Sequence, residues 1–180
     1  MGSSSGGKSS QAIKQARTMK PRNPFAPRTY TLVDEIAASP TAPLPADFKR
    51  HQLTRMWGGL AALETAPAPT NDDWRVVSDA VNLMETFIRD MQICQDPDNL
   101  LNDAVTALAT AGKRKVDNGK PLRLDGPGIQ ATRAILEDYA ALLDVLPHRT
   151  VVRCHRMTER RIRKVLAGIK ESHDIEVMEL

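Results

Sequence analysis

Among its 180 residues the chain has only two cysteines, and no apolar run approaches the roughly 18 residues that a membrane-spanning helix needs. Cys94 and Cys154 lie far apart and match no metal or disulfide spacing. The N-terminus also lacks the apolar stretch of a secretion signal. Two reduced thiols in a cytoplasmic protein are therefore expected. Aromatic residues are scarce as well, 4% against 41% apolar overall. The core must be built from Leu, Val, Ile, Ala and Met, which suits packed helices better than aromatic-rich sheets.

Catalytic and metal-binding patterns are also missing. The four histidines, His51, His148, His155 and His173, are scattered, and no second cysteine pair or carboxylate set completes a zinc site around His148, Cys154 and His155. Cys154 with His148 would be a nucleophile and base, but a cysteine on the apolar face of a helix is a core residue first, and nothing supplies an oxyanion hole. Gly2 to Ser9 satisfies the P-loop expression but lacks the preceding strand that the phosphate loop requires. The expectation is a non-enzymatic protein without cofactor or metal.

What is present divides into an arm and a helical domain. Residues 1–10 have almost nothing to bury, and six prolines fall between Pro21 and Pro45, each removing a donor and biasing its predecessor to extended backbone. Residues 1–45 read as a flexible Ser/Gly/Pro-rich basic arm lying across the domain, with Thr29–Ile36 as a strand or one helical turn. Residues 46–180 read as the helical domain.

Within that domain, apolar positions recur at three- and four-residue spacing. Asp47–Thr65 aligns Leu53, Met56, Trp57, Leu60 and Leu63, with Gly58-Gly59 marking a kink or a close helix contact. Thr70 or Asn71 caps a second helix reaching about Ile93, which buries Trp74, Val77, Val81, Met84, Ile88 and Met91. A third starts at Asp96-Pro97, turns Leu101, Ala104, Val105, Leu108 and Ala111 inward, and fades at Gly112 into Lys113-Arg114-Lys115. Asn118-Gly119 and Asp125-Gly126 are turns flanking a short extended Pro121–Leu124. A fourth helix runs from Pro127 or Gly128 to Leu146, where Pro147 breaks it, and a fifth runs from a Thr150 cap to about Ala167, ended by Gly168. The tail His173–Leu180 is a short strand or loose. The fold class is all-α: a compact bundle of about five helices with an extended Pro-rich N-terminal arm and a short C-terminal tail.

Charge is distributed unevenly. Residues 1–50 carry 8 basic and 3 acidic side chains, residues 51–147 carry 9 and 14, and residues 148–180 carry 8 and 5. All eight C-terminal cations lie between Arg149 and Lys170, where Glu159 is the one acid. At about 100° per residue, Val151, Cys154, Thr158, Ile162, Val165 and Ile169 form an apolar sector of the fifth helix. Arg149, Arg153, Arg156, Arg160, Arg163 and Lys164 fall opposite, as a ridge some 20 Å long. Guanidinium forks match phosphate oxygens, and such a ridge neutralises several phosphates and releases their counterions. Lys113, Arg114 and Lys115 extend the candidate nucleic-acid surface, although cations at a helix C-terminus are also favoured by its dipole.

The junction of the last two helices adds to this. The run Tyr139–Arg153 resembles a helix-turn-helix, with Ala141 at the small position of the first helix, Leu146 after the turn and Thr150-Val151 opening a recognition helix. That resemblance puts Arg149, Arg153 and Arg156 near the helix's exposed start. Val145 stands where the motif has Gly, and a plain helical hairpin accounts for the same residues. The functional expectation is a regulator binding nucleic acid, DNA ahead of RNA, through the fifth helix. The alternative is an accessory factor or inhibitor that sets the same ridge against an acidic protein surface, and a homo-oligomer joining its basic and acidic parts also fits the charge pattern.

Overall fold

One local device starts two of the helices. Thr31 and Thr70 each accept a hydrogen bond from the backbone three residues on, at Asp34 and Asp73, whose carboxylates reach back to the threonine N–H at 2.8 Å. Such capping boxes satisfy donors that a helix otherwise leaves open. The computed structural model describes residues 29–168, an all-α bundle of six helices. They are α1 Leu32–Ala37, α2 Ala46–Thr65, α3 Asn71–Glu85, α4 Leu100–Asn118, α5 Gly126–Val145 and α6 His148–Leu166. Residues 1–28 and the tail from Ile169 lie outside the described residues, and with them the P-loop-like run and the tail strand.

The five long helices follow the apolar periodicity. Met56, Leu60 and Leu63 of α2, Val77, Val81 and Met84 of α3, Leu101, Ala104 and Leu108 of α4, and Ile135, Tyr139 and Leu143 of α5 form one core. Trp74 is half-buried and its indole donates to the Leu108 carbonyl at 3.1 Å, tying α3 to α4. Gly59 is a close contact rather than a kink: a Cβ there would stand 2.8 Å from the Asp73 carbonyl oxygen. Leu122 and Leu124 are buried alternately in the extended connector before α5.

Several boundaries differ from expectation. The second helix does not run to Ile93 as an α-helix; α3 passes into a π-helical turn, Thr86–Asp90, that buries Phe87 completely and leaves Ile88 half-exposed. The third begins at Leu100, because Asn99 sits at φ 57° and the Asp96 carboxylate accepts from the Leu100 and Leu101 N–H groups at 2.9 Å. It continues past Gly112, which is buried on the packed face, so Lys113-Arg114-Lys115 lies inside α4 rather than after it. Val105 faces outward, 36% exposed. Gly119, at φ 64°, closes the helix.

The stretch expected as the end of the arm is packed structure from Thr29 on. Tyr30, Ala38 and Leu44 are buried, and Thr29–Ile36 holds the helix α1 rather than a strand. Tyr30 and Ala38 meet Val152 of α6 in a small second core. Helix α6 packs on α1 on one side and on α3 and the π turn on the other.

Candidate nucleic-acid interface

The first turn of α6 has no side-chain cap, because Pro147 occupies the N-cap position and Thr150, the expected cap, lies inside the helix. Its open donors are satisfied from the other end of the chain. The His148 N–H donates to the Ala42 carbonyl at 2.9 Å and the Arg149 N–H to the Ser39 carbonyl at 3.0 Å. The Arg149 guanidinium then donates to the Ile36 and Ala38 carbonyls, both at 3.0 Å. Those carbonyls end α1, so one arginine answers the open acceptors of a helix C-terminus. One turn on from Val152, Arg156 pairs with Glu35 at 2.7 Å.

The six-cation ridge is thus divided. Arg149 and Arg156 are used to hold α1. Arg153 and Arg160 are exposed, and among the described residues neither has a hydrogen-bond or ion-pair partner. Arg163 is exposed and bonded to Glu159 one turn back, and Lys164 is half-buried. Arg153, Arg160 and Lys164 keep one line along the outer face, about 16 Å from first to last.

A seventh cation, Arg161, was not among the sequence candidates. It is buried, donating to Glu85 at 2.7 Å, Asp90 at 3.1 Å and the Asn82 carbonyl at 3.1 Å. Its spacing carries the signal: three residues after Thr158 and seven after Cys154, it falls in the apolar sector. The π turn helps to bring Asp90 into reach. Beside it, Thr86 and Thr158 share a hydrogen bond of 2.6 Å.

The helix-turn-helix resemblance does not extend to the structure. Val145 is helical, so no left-handed residue is needed, and the break between helices is Leu146-Pro147 alone, both extended. Ala141 faces outward instead of into a second helix. The N-terminal turn of α6, which a recognition helix presents to bases, is covered by residues 36–42. Neither does helix packing bring Lys113, Arg114 and Lys115 to α6, since α4 packs on α5 and α3. Arg114 donates to the Arg123 carbonyl at 2.6 Å.

Cys154 donates to the Leu83 carbonyl at 3.5 Å, and burial pushes its thiol far above the ordinary range. That holds it as a protonated core residue. Among the described residues no group of three or more His, Cys, Asp or Glu side chains is placed to hold a metal ion, and no helix is long and apolar enough to cross a membrane.

Behind α6, on the side away from Arg153 and Arg160, lies a cleft of about 450 Å³ between α2, α3 and α6, roofed by Thr29 and Tyr30. Tyr30, Phe48 and His155 line one wall, with the Tyr30 and His155 rings 5.1 Å apart. Burial lowers the His155 imidazole to about pH 4, so it is neutral at pH 7, and its Nε2 has no partner. On α3, Asp79 is open to water through the cleft, yet the surrounding protein raises its carboxyl to about 6 against the opposing pull of Arg75 and Arg55. Protein walls strip hydration from a group that a water molecule can still touch. No family model, no curated protein and no solved structure matches the chain.

Proposed function

We propose that the protein is a non-enzymatic regulator that binds nucleic acid, duplex DNA ahead of RNA, along the outer face of α6. The observation that carries this reading is the pair Arg153 and Arg160, exposed, in line and, among the described residues, unpartnered, on a helix where Arg149, Arg156, Arg161 and Arg163 are held by protein acceptors. Arg163 and Lys164 flank the pair. The α1 clasp supports the reading by stiffening the helix before any partner arrives, which lowers the ordering cost of binding. A single α-helix fits the major groove of duplex DNA, whereas the deep, narrow groove of an RNA helix excludes it.

Titration of a labelled duplex against the protein across a salt series tests this. The double substitution Arg153→Gln, Arg160→Gln removes no contact within the bundle and should leave the melting temperature unchanged. It should flatten the slope of log affinity against log salt by roughly 0.9 per lost phosphate contact. Absence of binding by the parent chain at micromolar concentration and about 50 mM salt, the low end of the usual range, would refute the reading.

One observation favours a second reading. Leu32, Val33 and Ile36 of α1 are 55%, 73% and 64% exposed beside the cationic face. An apolar patch edged by arginine has the composition of a protein interface, here for an acidic partner or a second copy of the chain. Changing all three to Ser should abolish such a complex and leave the salt slope for DNA unaltered.

A further inference from the structure

We propose that the cleft between α2, α3 and α6 is a binding site for a small organic cation with a flat apolar body, an arylalkylammonium or aryl amidinium ion. The site does not depend on nucleic-acid binding. It lies on the face of α6 opposite Arg153 and Arg160, as His155, Thr158 and Ile162 are turned some 140–180° from Arg153 at about 100° per residue.

The size and walls fit such a ligand. A volume of about 450 Å³ falls in the range of small-molecule sites, which are mostly apolar with a few fixed polar groups. Tyr30 and Phe48 bring two of the chain's seven Phe, Trp and Tyr residues to this one wall. Met56 and Val76 continue the apolar lining from α2 and α3.

The polar groups fix the sign of the charge. Gln52 donates from Nε2 to the Tyr139 hydroxyl beneath it, and its Oε1 is buried without a partner. His155 Nε2 is buried without one too, so two of the six buried unpartnered side-chain atoms among the described residues belong to residues that line this cleft. A buried polar atom left unpaired costs about 1–3 kcal/mol, a cost that a ligand N–H recovers. Asp79 adds a carboxylate with no hydrogen bond from the protein among the described residues. At the rim the Arg55 guanidinium is held by Asp72 at 3.1 Å and the Glu159 carboxylate by Arg163, which leaves Asp79 facing Arg75 and His51. A ligand that donates to Gln52 and Asp79 and lays its ring against Tyr30 and Phe48 uses both of those acceptors and the apolar wall. An anion would meet the Asp79 carboxylate and the unpaired Gln52 Oε1.

The full chain is titrated by calorimetry with 2-phenylethylammonium and with benzamidinium, each against a neutral isostere, 2-phenylethanol and benzamide. One or both cations should bind saturably at one site, at least 10-fold more tightly than the isostere. Asp79→Asn, which removes the charge of a solvent-reached group, should weaken that binding at least 10-fold while the apo chain stays folded, with a melting temperature at pH 7 no lower than the parent's. Gln52→Leu should weaken it several-fold. Lys49→Gln, outside the cleft, should leave it unchanged. Three results would overturn the proposal: neither cation saturating up to millimolar concentration, the neutral isosteres binding as well, or the Asp79 variant binding like the parent. Since no DNA is present, failure here leaves the α6 reading standing, and failure of DNA binding leaves the cleft standing.

Discussion

The Arg161 guanidinium donates to the Glu85 carboxylate at 2.7 Å, with the two side chains 7% and 5% exposed. Glu85 also accepts from Arg89 at 2.7 Å, and Arg161 also donates to Asp90, so the charges are arranged two against two where α6 crosses the end of α3. Breaking a buried pair by removing one partner leaves an uncompensated charge, at about 3–5 kcal/mol. Arg161→Ala should therefore lower the melting temperature by about 10 °C or more. The double change Arg161→Met, Glu85→Leu should recover much of that loss, because an apolar pair carries no desolvation cost. A melting curve for Arg161→Ala that overlays the parent's would contradict the placement of this side chain.

Neighbouring glycines should respond oppositely to the same change. A Cβ at Gly59 would press on the Asp73 carbonyl at 2.8 Å and on Val77 at 3.2 Å, forcing α2 and α3 apart, whereas at Gly58 it meets nothing within 4 Å. Gly58→Ala should stabilise by roughly 0.5–1 kcal/mol, the helix-propensity gain. Gly59→Ala should destabilise by about 1–3 kcal/mol, in the range of overpacked cores. Chemical denaturation of the two single variants decides it, and equal effects would remove the close crossing.

His155 and Asp79 act in opposite directions over one range of pH. With its folded value lowered to about 4, His155 contributes stability that is complete above its unfolded value of 6.5 and is lost as the pH falls towards 4. Asp79, raised from 3.8 to about 6, contributes in the reverse sense, with stability present in acid and lost as the pH rises through 6. The parent should therefore show a shallow dependence between pH 4 and 6 from this pair. Asp79→Asn removes one side and should steepen the loss in acid, by up to the order of 3 kcal/mol for the buried imidazole. His155→Gln should make stability fall as the pH rises through 6. Denaturant midpoints at pH 4.5, 5.5 and 7 would expose a failure, which is parallel behaviour of all three proteins.

Amide exchange reads the clasp on α6 directly. First-turn amides of a helix have no helical acceptor and normally exchange fast. The His148 and Arg149 amides, bonded to Ala42 and Ser39, should instead be protected. Arg149→Ala, which deletes the bonds to Ile36 and Ala38, should speed both. Rapid exchange of these two amides in the parent would show that residues 38–42 do not close this end.

How much of this could be read in the sequence depends on the distance over which each feature is decided. Met84, Leu108 and Leu143 announce their faces by local periodicity, and Thr70 with Asp73 announces a start, since both are settled within a turn or two. The π turn is not local in that sense: Thr86 and Asp90 lie in an ordinary helical pattern, and the wider turn answers Thr158 and Arg161, more than 70 residues away. The ridge was visible as a spacing of cations, but its division was not. Arg149 and Arg153 look alike in the sequence, and only the docking of α1 separates a structural arginine from an exposed one. The cleft gave no signal either, because Gln52, Asp79 and His155 sit on three different helices.

The closing of α6 by the chain's earlier end also fixes an order of assembly. Contacts such as Arg149 to Ile36 and Arg156 to Glu35 span 113 and 121 residues, and the Tyr30 and His155 rings meet across a still longer loop. On a ribosome, α1 therefore emerges long before α6, the helix it packs on, has been made. Helices α2 to α5 share their own core, so they have a reason to associate first. The N-terminal clasp is then the final seal, and a chain that stops short of α6 leaves Tyr30 and Ala38 uncovered. Exposure of that small apolar surface marks an incomplete molecule, distinguishable from a finished one by the state of its first helix.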